Sequence, residues 1–473
     1  WPDKGGRRMR AARTERFGVL VMVLAMLGAA CTSSGDVTTD TTAPSTTSQD
    51  TGAGSSAPST ATGASAPADS IGELTASARG VTPDAIHVGI PLIDFAGLDD
   101  TFGLDLNTAD AQPAWEAAIA ELNERGGILG REVVPTFALY LPVAVTDIDR
   151  ICLELTEDTE TFVVMGGLRP QEGALCFTAA HETPFFSTFG MPGEVIEASV
   201  APVIALELRA DRALTGLVRA LDQNGVLDEH TLGIMAHAGN DATIEAIQAE
   251  LASLGRPEAV VAVNDAIESD QVAYEQNNQI IVERFKADGV NLVIPIGATP
   301  AAAYFSFDEN GAEDIVLASN NGQMTNATLL EEADVDPARR EGSYFLGTRA
   351  FSDLVDQGHQ PTIDCIENYE TRTGVEANVR PEENPETPSN IGAIMRSCQA
   401  IAILEAAAVE AGADLTNESL EAGLLTIVDF DMAGSDPGSI RTDKRDFPDV
   451  VFLKEYEVGS GLWIDTGDPV ALP

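Results

Sequence analysis

Lysine is almost missing from this chain; Lys4, Lys286, Lys444 and Lys454 are all there is. Arginine raises the basic total to 27, against 75 Asp and Glu, for a net charge of −48. That balance argues against nucleic acid as a partner and against docking on an anionic membrane face. Aromatic residues make up 5% of the chain, with three Trp, so no aromatic platform for sugars stands out. There is no GxSxG elbow, no HExxH, no P-loop and no GxGxxG opening a helix. The five histidines, at 87, 181, 230, 237 and 359, show no ligand spacing, and the five cysteines include no CxxC pair. Nothing in these patterns points to an enzyme, a metal or a cofactor.

Long apolar runs are also scarce. The N-terminal one, Phe17 to Leu27, is too short to span a bilayer. It follows Arg10, Arg13 and Arg16 and ends in Gly28-Ala29-Ala30-Cys31, which suits a secretory signal peptide beginning at Met9. The eight residues before Met9 fit no part of such a signal. Small residues before a cysteine resemble the lipobox of bacterial lipoproteins, which implies a lipid anchor on Cys31. Cleavage without lipidation is the alternative. From Thr32 to about Ala76 the chain is mostly Ser, Thr, Ala, Gly, Pro and Asp. Such a segment cannot repay the entropy of ordering, so a flexible tether is expected.

From Val81 the pattern becomes globular, and the length beyond it suits two lobes better than one core. Ile86 to Ile90 reads as a buried strand, followed by a helix with Trp115, Ala118, Ile119 and Leu122 on one face. A strand near Glu132 to Tyr140, a helix striped by Ile148, Ile151, Cys152 and Leu155, and strands at Thr161 to Met165 and Thr183 to Ser187 come next. The alternation restarts with a helix face of Leu214, Leu217, Val218 and Leu221. Strands at Thr231 to Ala236, Glu258 to Val263, Val290 to Ile294 and Ile315 to Ala318 follow, with helices carrying Ile244, Ile247, Leu251 and Leu254, then Ile280, Ile281 and Phe285. An extended piece at Ser343 to Thr348, helices at Ile363 to Arg372 and Ile391 to Ala411, and strands at Val450 to Val458 and Leu462 to Ile464 complete the chain. Repeated β-α alternation means parallel sheets covered by helices on both faces.

Four cysteines remain beside Cys31. An exported compartment permits disulfides, and pairing Cys152 with Cys176 and Cys365 with Cys398 closes the shortest local loops. Each bridge is worth about 3–4 kcal/mol on the loop-entropy argument. Four buried free thiols are the alternative.

Val81-Thr82-Pro83-Asp84-Ala85-Ile86-His87-Val88-Gly89, and the helix end Glu121 to Arg125 with the turn Gly126-Gly127-Ile128-Leu129-Gly130-Arg131, resemble the opening of type I periplasmic solute-binding proteins. The similarity is strongest to the branch containing the leucine/isoleucine/valine-binding proteins of ABC importers, and it extends over most of residues 81 to 465. It implies an α/β fold of two doubly wound, Rossmann-like lobes joined by a multi-strand hinge. A small polar solute (an amino acid, amide or organic acid) would be held between the lobes and delivered to an ABC permease. The family often ties its second helix to its third by a disulfide, which Cys152 and Cys176 match. On this basis residues 1–30 form the upstream extension and signal peptide and 31–80 the tether. Residues 81–202 and 343–430 form lobe one, and 203–342 and 431–473 form lobe two with the C-terminal strands. The expected protein is a lipid-anchored, extracytoplasmic monomer. A ligand-sensing lipoprotein that reports to a membrane receptor would use the same fold.

In open parallel sheets ligands bind beyond the carboxyl ends of the strands. That rule selects Asp94 and Phe95 after the first strand, Gly167, Leu168 and Arg169 after the third, and Ser187 and Thr188 after the fourth. In the second lobe it selects His237 and Asn240, with Gly297. Pro170 suits a helix start, which would turn free N–H groups toward the cleft. Arg169 is the sharpest candidate, because a guanidinium there can grip a carboxylate bidentately; an exposed or ion-paired arginine is the alternative. His237 also reads as ordinary polar surface, Asn240 as a helix N-cap, and Ser187 as a hydroxyl satisfied by local backbone. Amino-acid binders of the family present small hydroxyl residues after the third strand. Gly166-Gly167-Leu168-Arg169 departs from that, which puts branched-chain amino acids in doubt. The first-strand loop, with Asp94, Asp99 and Asp100, is long enough for a lid or an acidic rim.

Overall fold

The computed structural model describes residues 72–472 except 103–107, 143–144, 267–269, 326–329, 331–334, 382 and 385. The signal peptide, Cys31 and nearly all of the tether lie outside these residues. The tether ends earlier than residue 80. Thr75 Oγ1 donates to Asp414 Oδ1 at 2.9 Å and Ser77 Oγ to Leu415 O at 2.7 Å. The cause lies in Arg131, which is 1% exposed and must place its donors. It finds the carbonyls of Thr82, Thr75 and Ala413, and so pins the incoming chain to the first lobe.

Five parallel strands make the first sheet: β1 (Ala85–Ile93), β2 (Glu132–Tyr140), β3 (Val163–Gly166), β4 (Phe185–Ser187) and β5 (Val203–Ala205), in the order β2-β1-β3-β4-β5. Ile86, Val88 and Ile90 are fully buried, as strands covered on both faces must be. The helix Gln112–Glu124 lays Trp115, Ala118, Ile119 and Leu122 on this sheet. It turns off at Gly127, whose φ is +65° and whose added Cβ would stand 2.0 Å from Arg131 O. Only glycine fits that turn. The helices Ile391–Ala411 and Asn417–Leu424 fill the same core from far along the chain.

The second sheet repeats the scheme. β6 (Leu232–His237), β7 (Val260–Asn264), β8 (Leu292–Ile296), β9 (Val316–Ser319) and β10 (Tyr344–Gly347) run parallel in the order β7-β6-β8-β9-β10. β11 (Val450–Glu457) and β12 (Leu462–Asp465) add antiparallel to that edge, and β13 (Val470–Ala471) pairs with β11. Helix stripes lie where their periodicity puts them, except that Ile280 is 66% exposed while Ile281 and Phe285 are buried.

Three lobe boundaries differ from expectation. β5 belongs to the first sheet, so the first crossing comes after Ala205, not at 203. Tyr344–Gly347 pairs with β9 and β11, so the return crossing follows residue 347 and not 342. Met432, Ile440 and Phe447 pack in the first core, so the last crossing falls near 448 instead of 431. Each of these pieces is three or four residues of strand or irregular chain, too short to carry a period. Disulfides join Cys152 to Cys176 and Cys365 to Cys398; the second ties the helix Gln360–Thr373 to Ile391–Ala411.

Candidate functional site

Both parallel sheets reverse strand order beside their first strand, and such a switch point opens a crevice at the strands' carboxyl ends. The two crevices face each other. Together they make one cleft of about 1150 Å³, walled by Pro91, Gly166 and Thr188 on one lobe and Ile296, Ser319 and Gly347 on the other.

Of the ten positions selected from sequence, Phe95, Gly167, Arg169, Thr188 and Gly297 line this cleft and five do not. Asp94 Oδ1 accepts from Gly97 N at 2.8 Å, at the start of the helix Phe95–Phe102. The first-strand loop therefore opens as a helix over Phe95–Phe102. Leu168 is 1% exposed and packs into the core beneath the sheet. Ser187 is buried, its hydroxyl accepting from Phe189 N at 3.2 Å. His237 contacts Tyr274, Nε2 to Oη at 3.0 Å, and Asn240 Nδ2 donates to His237 O at 2.9 Å. Both pack behind Gly297, which separates them from the cleft. Asn240 stands at the N-cap position of Asp241–Ser253, but its side chain does not cap. Pro170 does precede a helical stretch, which opens as the turn Gln171–Gly173 and runs without a break into Cys176–Ala180.

The glycines at the end of β3 and just after it make room for neighbouring protein. A Cβ on Gly167 would fall 2.0 Å from the Phe189 ring, and one on Gly166 2.9 Å from Pro91 O. Phe189, absent from the selected set, is thereby pressed against the loop and organises its charges. Arg169 Cζ lies 4.4 Å from the ring centroid and Arg396 Cζ 5.1 Å, both in cation–π range. Arg396 projects from the helix Ile391–Ala411 and its Nη2 donates to Glu207 Oε1 at 2.8 Å. Arg169 has no such partner: its Nη1 is buried without a hydrogen bond. Burial lowers the Arg169 pKa from its ordinary value, and the negative charge of Glu207 opposes that shift.

Tyr140, at the end of β2, fixes the backbone that carries this arginine. Its Oη donates to Gly167 O and accepts from Arg169 N, each at 3.0 Å. The ring is 1% exposed, and desolvation raises its pKa well above the ordinary value. Replacing Tyr140 by Phe leaves two backbone groups unpaired, at about 1–3 kcal/mol. The expected result is a lower melting temperature and several-fold weaker binding of any acid gripped by Arg169, read by calorimetry on the same preparation.

No protein-family profile matches the sequence, and no curated protein matches it. Solved structures do. An ABC transporter substrate-binding protein from Desulfitobacterium hafniense, in complex with Leu, superposes with a TM-score of 0.55 at 16% identity, over 80% of this chain and 100% of that one. A solute-binding protein of an ABC transporter from Rhodopseudomonas palustris HaA2, in complex with p-hydroxybenzoic acid, gives 0.56 at 13% identity over 82% and 98%. A fatty acid ABC transporter substrate-binding protein from Thermomonospora curvata gives 0.53 at 14% over 84% and 93%. The architecture is thus that of the type I periplasmic binding proteins, two α/β lobes facing a shared cleft.

Proposed function

We propose that this protein is an extracytoplasmic solute-binding protein that captures a small polar solute bearing a carboxylate, an amino acid or organic acid, and delivers it to an ABC-type membrane permease. The observation that carries the reading is Arg169, a guanidinium held in an interlobe cleft with its Nη1 buried and unpaired. A buried cation without a counter-charge is costly, and an incoming carboxylate removes that cost. Leucine, p-hydroxybenzoic acid and fatty acids, named for the three similar structures, all present one. On this reading Phe95, Gly167, Thr188 and Gly297 shape the pocket around the acid, and no catalysis or cofactor is involved. The N-terminal sequence supports export and a lipid anchor at Cys31, with a monomer held off the membrane by the tether.

The test is thermal melting of the purified full chain, refolded once from denaturant to strip any bound solute, against amino acids, organic acids, amides and sugars. A ligand at about a hundredfold over its dissociation constant adds roughly 2.7 kcal/mol to the folded state. For lobes of this size that is a shift of about 5–11 °C. A shift confined to carboxylates is expected. A shift with sugars or amides alone, or with no compound in the panel, would overturn the reading.

A further inference from the structure

Two polar atoms just beyond the carboxyl end of β3 are buried and unpaired, and they are of opposite kind. Arg169 Nη1 is a donor with nothing to donate to, and Gln171 Oε1 is an acceptor with nothing to accept from. Both residues line the cleft. They stand two positions apart in one loop, so their Cα atoms lie within about 7 Å of each other. A guanidinium N–H and an amide oxygen that close in the chain are natural partners, yet they do not meet.

The loop after β4 holds each of them. Thr188 N donates to Gly166 O at 3.1 Å, which fastens the start of that loop to the end of β3. Arg169 Cζ lies 4.4 Å from the Phe189 ring centroid, and the next residue, Gly190, accepts a hydrogen bond from Gln171 Nε2 through its carbonyl. A carbonyl can only accept, so the amide's NH2 faces Gly190 and its free end is the oxygen. Gln171 is 2% exposed. An amide oxygen at that depth without a donor carries a desolvation cost of its own, beside that of the unpaired guanidinium.

A ligand that matches both atoms turns an acceptor to Arg169 and a donor to Gln171. The acceptor is the carboxylate of the reading above, because a guanidinium is matched best by an anion. The donor is a hydroxyl and not an ammonium. Gln171 offers a neutral oxygen, and Glu207, which lines the cleft beside Phe189, is already bonded to Arg396 at 2.8 Å. Glu172, next to Gln171, does not line the cleft. An ammonium here would face the guanidinium groups of Arg169 and Arg396 with no uncommitted carboxylate on this wall to balance it. A hydroxyl needs no counter-charge.

We infer that the cleft selects a hydroxycarboxylic acid, whose carboxylate pairs with Arg169 and whose hydroxyl, one or two carbons away, donates to Gln171 Oε1. The inference rests on the solute-binding reading above and narrows its substrate class, with Gln171 as the residue that sets specificity.

The experiment is calorimetric titration of the full chain with three series of acids: lactate, 2-methoxypropionate and propionate; mandelate, its O-methyl ether and phenylacetate; 3-hydroxybutyrate, 3-methoxybutyrate and butyrate. A further pair sets 2-hydroxyisocaproate against L-leucine. In at least one series the hydroxy acid is expected to bind roughly tenfold or more tighter than both the ether and the plain acid, because only the hydroxyl can donate. 2-Hydroxyisocaproate is expected to bind tighter than L-leucine. In Gln171→Met the advantage of the hydroxyl is expected to fall toward one, with the plain acid bound within a few-fold of wild type. Equal affinities within every series, as a water bridging the two atoms would give, overturn the hydroxyl subsite and leave solute capture standing. An ether that binds as tightly as its hydroxy acid, tighter binding of L-leucine, or an unchanged ratio in Gln171→Met does the same. The wild-type series need no variant to fold, so they decide the matter even if Gln171→Met does not. No binding of any acid would overturn both the subsite and the reading beneath it.

Discussion

Replacing Asp446 by alanine is expected to cost about 3–5 kcal/mol of stability, the range for stripping one partner from a buried charge network. Asp446 is fully buried where the first and last interlobe segments meet. Its Oδ2 accepts from Arg209 N at 2.8 Å, its Oδ1 pairs with Arg212, and Ala205 forms a bridge to its backbone. Those contacts lock the first crossing, and the start of the helix Ala210–Gln223, to the segment that returns to lobe two. Lys444, 1% exposed, grips the same segment through the carbonyls of Ser439, Asp446 and Phe447. Without the Asp446 carboxylate, Arg212 loses this ion pair and Lys444 keeps its contact with Asp449, 3.0 Å away. Asn in its place retains an acceptor for Arg209 N but no charge, so an intermediate loss is expected. Urea midpoints for the three proteins decide it: an alanine variant with an unchanged midpoint would mean that the crossings are held by packing alone.

The same crossings mark where sequence reasoning stops. Strands such as Ile86–Ile90 and helices such as Ile391–Ala411 announce themselves, because burial on both faces or on one stripe leaves a period in the chain. β5 is three residues long, and β10 is four. Neither can show a period, and assigning either to a sheet needs a partner strand that lies far away in sequence. The site divides along the same line. Topology alone places the cleft at the ends of β1, β3 and β8, because the switch-point rule depends on strand order and on no particular side chain. Which side chain in each loop turns inward depends on what packs behind it. Gly167 faces Phe189, and Gly297 shields His237 and Asn240; neither relation lies within one loop. Arg396 escaped notice for the same reason. Its helix reads as an apolar stripe, and the acid that pairs with it, Glu207, comes 189 residues earlier.

Arg169→Ala is expected to weaken binding of the captured acid about 100-fold, and this is the largest change in affinity the cleft should show. Two charge-assisted hydrogen bonds from one planar fork are worth about 3 kcal/mol or more, and each 1.4 kcal/mol is tenfold. Stability should hardly move. The side chain gives up a cation–π contact worth about 1 kcal/mol with Phe189, but the protein also sheds a buried charge that lacks a counter-ion. Those two effects oppose each other. Lysine at the same position restores charge without the fork, so it should recover only part of the affinity. Titration calorimetry on Arg169→Ala and Arg169→Lys, with melting temperatures within a degree or two of wild type, separates a lost grip from a lost fold. An alanine variant that binds as tightly as wild type would move the carboxylate to another wall of the cleft. Arg169 would then be a cation that the lobe tolerates only because Phe189 and Glu207 stand beside it.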